Sequence, residues 1–387
     1  MQFKPDKTIF NLTLVILVTV AIQDVFIDRY SPYRIIAQLT QLFGVVVGFL
    51  GLYRFLIKKS NYQFSFNKWY LSFFILLLIY AIFSKYLFDW YPRVLYTLLP
   101  FFVFYNAAKR GNVSEQEIKR LALFLFIPAL ILLYQSFFER AEEYGSFMER
   151  ADNVGYSLLA IMMLFSILKP TKINFIFITI AFFATLLSLK RGAMITGSII
   201  YLSFILNYRK QALKNFSFAN LLIFLGILAG SIFAIIKFSD VFLYRFIKDP
   251  GGSSRDTFFS LLWEGWYNST FKNQIFGNGF FSTIDYMDIT FRHAIYAHSD
   301  WLEILYDHGL LGIFIFSGMY ISLFLIRKKV NRNIPHLYLP FLALIFAMFL
   351  KSVVSGTYMT KFDAVSYGII GFYLGKLTFI KKSNRLT

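Results

Sequence analysis

Apolar residues run in blocks along the whole chain, each about as long as a membrane is thick and separated from the next by a short polar turn. A spanning helix needs roughly 20 apolar residues. Blocks near 9–27, 35–57, 69–88, 94–107, 121–138, 154–168, 173–189, 192–208, 219–236, 309–326, 337–354 and 363–380 predict about twelve such helices. One interval breaks the rhythm. From Lys237 to His308 about seventy residues are polar and rich in turns, and a loop of that length in a compact domain usually carries function. Within it, Ser253 and Asp256 form a capping pattern ahead of an apolar face made by Phe258, Phe259, Leu261, Leu262, Trp266 and Tyr267, with Trp263 beside it. That face suits an aromatic helix lying at the membrane–water boundary. Phe276 to Gly279 reads as a turn. A further helix is expected from Asp300, with Glu303 as its capping partner, running to Gly309 and Gly312, where the next span begins.

Composition agrees with the blocks. Hydrophobic residues make up 57% of the 387 and charged residues 16%, against about a quarter charged in a soluble domain. The fold class expected is an all-α polytopic membrane protein, a single integral-membrane domain over 1–387 with 237–308 as its large loop. No cysteine is present, which excludes disulfides and thiolate metal sites. Met1 to Lys7 is polar and basic, and the apolar run after it has no small-residue cleavage site, so it reads as a first membrane helix.

The net charge of +18 would suggest nucleic acid if it were scattered. It is not scattered. With both termini in the cytoplasm, the inside turns collect Lys58, Lys59, Lys109, Arg110, Lys169, Lys172, Arg209, Lys210, Arg327, Lys328 and Lys329, while the outside stretch Glu139 to Asp152 is acidic. This is the positive-inside bias, with attraction to anionic membrane lipids as a secondary effect. No nucleic-acid partner is expected. The same orientation puts the 237–308 loop, and the Lys190-Arg191 pair, on the outer side.

Several outer residues are candidates for chemistry. Arg255 falls in the first turn of a helix, where the macrodipole disfavours a cation; with the free N–H groups there it would suit a phosphate or diphosphate. The plain alternative is a surface arginine paired with Asp256 or with lipid phosphate. Arg191 sits at the margin of two apolar segments beside Gly192 and Ala193, where a charge either marks a functional path or snorkels to the interface. His298 precedes a helix start, which favours the neutral imidazole and a role as base; a capping or Asp300-bonded histidine is the structural alternative. His293, His308, Asp300 and Glu303 match no metal-ligand spacing, so no metal is expected. Trp301 and its aromatic neighbours would either stack on sugar rings or form an interfacial belt.

Three stretches together carry a resemblance: Ser188 to Ala193 (Ser-Leu-Lys-Arg-Gly-Ala), the Arg255-led stretch ending in Phe-Gly-Asn-Gly, and Ala297 to Leu305 followed by Gly309 to Gly312. In order and spacing they resemble the O-antigen ligase and polymerase superfamily of bacterial envelope glycan assembly, most clearly over residues 185–325. The resemblance implies a GT-C-like, metal-independent and cofactor-free glycosyltransferase of the bacterial inner membrane. Such an enzyme moves an oligosaccharide from an undecaprenyl-diphosphate carrier to a sugar hydroxyl on the outer face, with inversion. It further implies that Arg191 and Arg255 hold the donor diphosphate and that His298 serves the acceptor hydroxyl, with Asp300, Glu303 and Trp301 as supporting residues. A chain-length regulator protein is the partner it suggests. The family's His-Asn opening is His298-Ser299 here, so the asparagine's contribution is missing.

A polymerase is the reading taken forward, with a ligase that passes the finished glycan to a lipid A core as the nearest alternative. A lipid-linked sugar transporter or flippase is the third. Transporters usually show internal repeats and broken helices at the midplane. No repeat is visible in this chain, and Lys351 is the main charge within a late span.

Overall fold

The computed structural model describes residues 4–27, 33–58, 64–144, 154–188, 190–212, 255–292 and 296–383. Among them there is no strand. In chain order the helices are α1 (Pro5–Phe26), α2 (Arg34–Leu56), α3 (Ser65–Ile82), α4 (Tyr91–Leu98), α5 (Pro100–Lys109), α6 (Glu115–Tyr144), α7 (Val154–Ser166) and α8 (Lys172–Leu187). They continue with α9 (Arg191–Ala212), α10 (Arg255–Tyr267), α11 (Phe271–Phe276), α12 (Ser282–Phe291), α13 (Asp300–Asn333), α14 (Tyr338–Val354) and α15 (Asp363–Ser383). The expected span 219–236, the capping Ser253 and the preceding part of the long interval lie outside the described residues.

Five helical units among the described residues are long and apolar enough to cross a membrane: α1, α2, α3, α13 and the stretch Pro335–Val354. Two more, α7 and α8, are apolar but shorter. The chain therefore has the all-α architecture of a membrane protein. Burial explains the difference in length. Every residue of α7 is buried, so it is a core helix enclosed by its neighbours. By contrast α2 buries Val45, Leu52 and Phe55 and turns Ile35, Leu39, Leu42, Val46 and Leu50 outward, an apolar surface that suits lipid.

Local chemistry shifts several expected boundaries. The block at 69–88 ends as a helix at Ile82, and the Ser84 hydroxyl accepts from the Tyr86 N–H in the turn that follows. The block at 94–107 is two helices, α4 and α5, divided at Leu99 because Pro100 has no N–H to continue the ladder. Gly371 and Gly375 let α15 lie directly on α5: a Cβ there would come within 2.2 Å of the Phe101 carbonyl and 2.4 Å of the Tyr105 carbonyl.

The two ends of the bundle differ in character. At one end Asp6 is buried between Arg54 and Arg110, Lys7 pairs with Glu117, and Asn207 donates to the His336 carbonyl at 3.1 Å. Lys7, Arg54 and Arg110 therefore gather at one end of the bundle. At the other end Lys361 pairs with Asp24, and Tyr80 and Ser84 donate to the carbonyls of Phe276 and Phe280. The described part of the long interval packs on this second end.

Candidate functional site

At that second end, α1, α2, α4 and α7 surround a cavity of about 380 Å³. Its lining includes Arg34, Arg93, Lys361, Asp24, Tyr156, Tyr296 and Thr360. Three cations thus face the space against a single carboxylate, and that carboxylate is already paired with Lys361. Arg93 also lies over the Trp90 ring, 4.7 Å from its centroid. The cavity adjoins a narrow apolar cleft lined by Leu17, Val20, Leu125, Ala129 and Ile161, and Asp24, Lys361 and Phe362 line both spaces. A cationic chamber beside an apolar slot fits a molecule with an anionic head and a hydrocarbon tail.

Two tyrosines connect the residues expected from the sequence to this cavity. Tyr296 stands 4.4 Å from His298, ring to ring. Tyr156 lies under Lys190 at 5.8 Å and under Lys351 at 4.3 Å. A Cβ placed on Gly192 would sit 2.8 Å from the Tyr156 hydroxyl, which brings the start of α9 up to that tyrosine, while Arg191, which opens α9, is not among the residues lining the cavity. Arg255 opens α10, as expected, but its side chain lies outside the described residues. Its helix places Phe258 and Leu262 in a small cluster with Ala297 and Tyr306, which seats α10 next to the His298 segment. Only part of its aromatic face is free, Trp263 and Tyr267 being exposed while Phe258 and Leu262 pack on protein.

His298 is half-buried and adopts the left-handed conformation, φ 53°. That backbone is uncommon outside glycine, and such outliers cluster at functional sites. Ser299 then takes the N-cap position of α13, without a side-chain cap. The expected capping role of Glu303 is not realised. Glu303 is fully buried, and neither carboxyl oxygen has a hydrogen-bond partner of normal geometry, the Ala297 backbone facing it at longer range. Asp300 is equally buried and points away from His298's role: it accepts from the Thr357 N–H at 2.7 Å and the Thr357 hydroxyl at 2.6 Å. Trp301 donates its indole N–H to Ser352 at 2.9 Å. Asp300 and Trp301 thus tie the His298 segment to the turn after α14 and to α14 itself, so they support the site from the protein side.

The Phe-Gly-Asn-Gly turn is a clasp on α13. The Asn278 N–H donates to the Tyr306 carbonyl at 3.0 Å and the Gly279 N–H to the Asp307 carbonyl at 2.9 Å. In return the Asp307 carboxylate accepts from the N–H groups of Phe281 and Thr283, both at 2.8 Å, and from the Thr283 hydroxyl at 2.7 Å, closing the start of α12. Gly277 and Gly309 both need positive φ, 79° and 63°. Each also excludes a Cβ, the first by Asp307 backbone at 2.2 Å and the second by Ile275 backbone at 2.5 Å. The expected helix from Asp300 towards Gly309 and the span that follows are joined in α13, with a kink at Gly309 where the two meet.

Beneath the cavity, Lys351 is buried and donates to Asp363 at 2.5 Å, with the Thr360 hydroxyl 3.5 Å away. Thr360 lines the cavity, so a buried ion pair forms part of its floor. Sequence reading missed Arg34, Arg93, Lys361 and Tyr156. Their signal was present: all three cations fall at turns on the side expected to be poor in them. His308 is buried next to Tyr80, rings 4.6 Å apart, away from the cavity lining. His293 lies outside the described residues. Among the described residues no three His, Asp or Glu side chains are arranged to hold a metal ion. No known family model matches this chain, and no curated protein matches it either.

Proposed function

We propose that the chain is a glycan polymerase that transfers oligosaccharide repeat units from a polyprenyl-diphosphate carrier to a sugar hydroxyl at the extracytoplasmic face of a bacterial inner membrane. The observation that carries this reading is the cationic cavity with an apolar cleft running off it. A polyprenyl diphosphate is the amphiphile this pair of spaces suggests, its charged head among Arg34, Arg93 and Lys361 and the first carbons of its tail entering the cleft of about 40 Å³ between α1, α6 and α7, with the rest lying in lipid. Arg191, one residue before the Gly192 that meets Tyr156, and Arg255, from α10, would approach the same head.

The chemistry follows from that placement. The acceptor hydroxyl gives its proton to the neutral His298 imidazole while its oxygen bonds to the donor's anomeric carbon from the face opposite the diphosphate. The bond from that carbon to the diphosphate oxygen breaks, and the carrier leaves with the electron pair. The growing charge on the leaving group is neutralised by fixed guanidinium and ammonium groups. One base serves one inversion, and general-base help of this kind contributes about 10²–10⁴-fold.

The test is reconstitution. Purified protein in lipid nanodiscs, given carrier-linked repeat units, should produce a ladder of lengthening glycan with no lipid A present. A product only when lipid A core is added would make the protein a ligase. Vectorial movement of carrier-linked sugar without any new glycosidic bond would make it a transporter and sink the reading.

A further inference from the structure

A second concave surface lies outside the cavity, between the α3–α4 turn and the Phe-Gly-Asn-Gly clasp. It is an open groove of about 700 Å³, within the roughly 300–1,000 Å³ range of small-molecule sites. Its lining shares no residue with the cationic cavity. Phe83, 87% exposed, and the partly exposed Phe276 offer aromatic surface on its walls. Between them lie Asn273, Asn278, Ser84 and Lys272. Lys272 has no ion-pair partner among the described residues, and the Asn273 carboxamide is used only through its nitrogen, donating to Asn278 at 2.9 Å. The groove therefore keeps unspent hydrogen-bonding capacity beside bare rings. Nothing in the packing of the bundle requires either.

We propose that this groove is a saccharide-binding subsite that holds the carbohydrate part of the substrate while the diphosphate head occupies the cavity. Rings that stack on the apolar faces of sugars, next to amides and a lysine that bond to hydroxyls, are the chemistry of carbohydrate recognition. The groove carries a carboxylate, Asp285, and Lys85 is committed to it at 2.8 Å, which disfavours a phosphate headgroup as the occupant. A ring contact joins the two spaces: Phe281, next to the groove, stacks on Trp90 at 5.2 Å, and Trp90 carries the cavity's Arg93 at 4.7 Å.

This inference rests on the polymerase reading for the identity of the glycan, and the experiment separates the two. Full-length protein in nanodiscs is titrated with soluble oligosaccharide released by mild acid from the producing cells' own polysaccharide. The Phe83→Ala/Lys272→Ala double variant, altered only at exposed positions, should bind it about tenfold more weakly, the loss of one stacked ring and one charge. With carrier-linked donor, the same variant should couple repeat units more slowly at limiting donor and make shorter chains. Unchanged binding in the double variant overturns the subsite. So does unchanged glycan binding together with loss of co-purifying phosphatidylglycerol, which would assign the groove to lipid headgroups. Wild-type protein that binds the oligosaccharide but transfers nothing would overturn the polymerase reading and leave the groove standing.

Discussion

His298 and Asp307 lie nine positions apart and do opposite jobs. His298 is half-buried, strained in backbone and set beside a cavity tyrosine, whereas Asp307 is fully buried and spends its carboxylate on closing α12. Replacing His298 with alanine should abolish polymer in a complementation assay at normal protein levels; normal-length polymer would remove it from catalysis. Arg191→Lys should impair transfer if a two-pronged phosphate contact is needed. Asp307→Ala, by contrast, would leave buried N–H donors unmet, each costing about 1–3 kcal/mol. Its expected signature is a lowered melting temperature in detergent, with Asp307→Asn between it and wild type. Arg191 and His298 stood out in the sequence because a cation at a span margin and a histidine before a helix start are local facts. Arg34, Arg93 and Lys361 each fall at a turn expected to be poor in cations, but their meeting depends on packing among α1, α2, α4 and the turn before α15. Glu303 was misread because the three-residue spacing from Asp300 fits a capping box, but Ser299 takes the N-cap position, which puts Glu303 one place too far along, and tertiary burial took its side chain inward.

Element boundaries follow similar logic. Among the described residues, five helical units are long and apolar enough to span, fewer than the twelve expected blocks, and at Pro100 a single residue divides a block into two helices without interrupting its hydrophobicity. The α3–α4 turn is tied to α12 by Asp285, which accepts from the Tyr86 hydroxyl at 2.5 Å and pairs with Lys85 at 2.8 Å. Burial pushes the Asp285 carboxyl up, but the hydrogen bonds from Lys85 and Tyr86 prevail and hold it below the usual carboxylate range. Its contribution is therefore present above the unfolded carboxylate's pKa and is lost as pH falls through the lower folded value. The Asp285→Asn variant should be slightly less stable than wild type near neutrality and should converge with it in acid, its stability curve being the flatter one below about pH 4. The effect will be small, since the pair is solvent-exposed. The clasp is less forgiving. Gly277→Ala would drive a Cβ into Asp307 backbone and demand positive φ of alanine, so the variant should fail to accumulate, measured by immunoblot of membranes.

At the scale of the molecule, the bundle gathers Lys7, Arg54 and Arg110 at one end and a cationic cavity, an apolar cleft and a polar groove at the other. The alternation of blocks and charges in the chain foretold two unlike ends. It could not foretell the cavity, which is assembled from residues as far apart as Arg34 and Lys361. Beneath that cavity the Lys351–Asp363 pair is sealed from solvent. Removing one partner strands the other, at a cost of about 3–5 kcal/mol, whereas removing both is often close to neutral. Lys351→Ala should therefore be less stable than Lys351→Ala/Asp363→Ala, with thermal unfolding in detergent as the readout.

The same pair bears on biogenesis. Lys351 sits near the end of α14 and Asp363 opens α15, separated by a short connection. A lysine arriving alone in the hydrocarbon would have to be accommodated by itself, at an insertion cost of about 2.5–3.5 kcal/mol. Arriving with its aspartate, it enters as a neutral couple. Insertion of α14 and α15 together as one hairpin is therefore expected, and a nascent chain that stops after Val354 should be held at the translocon or degraded.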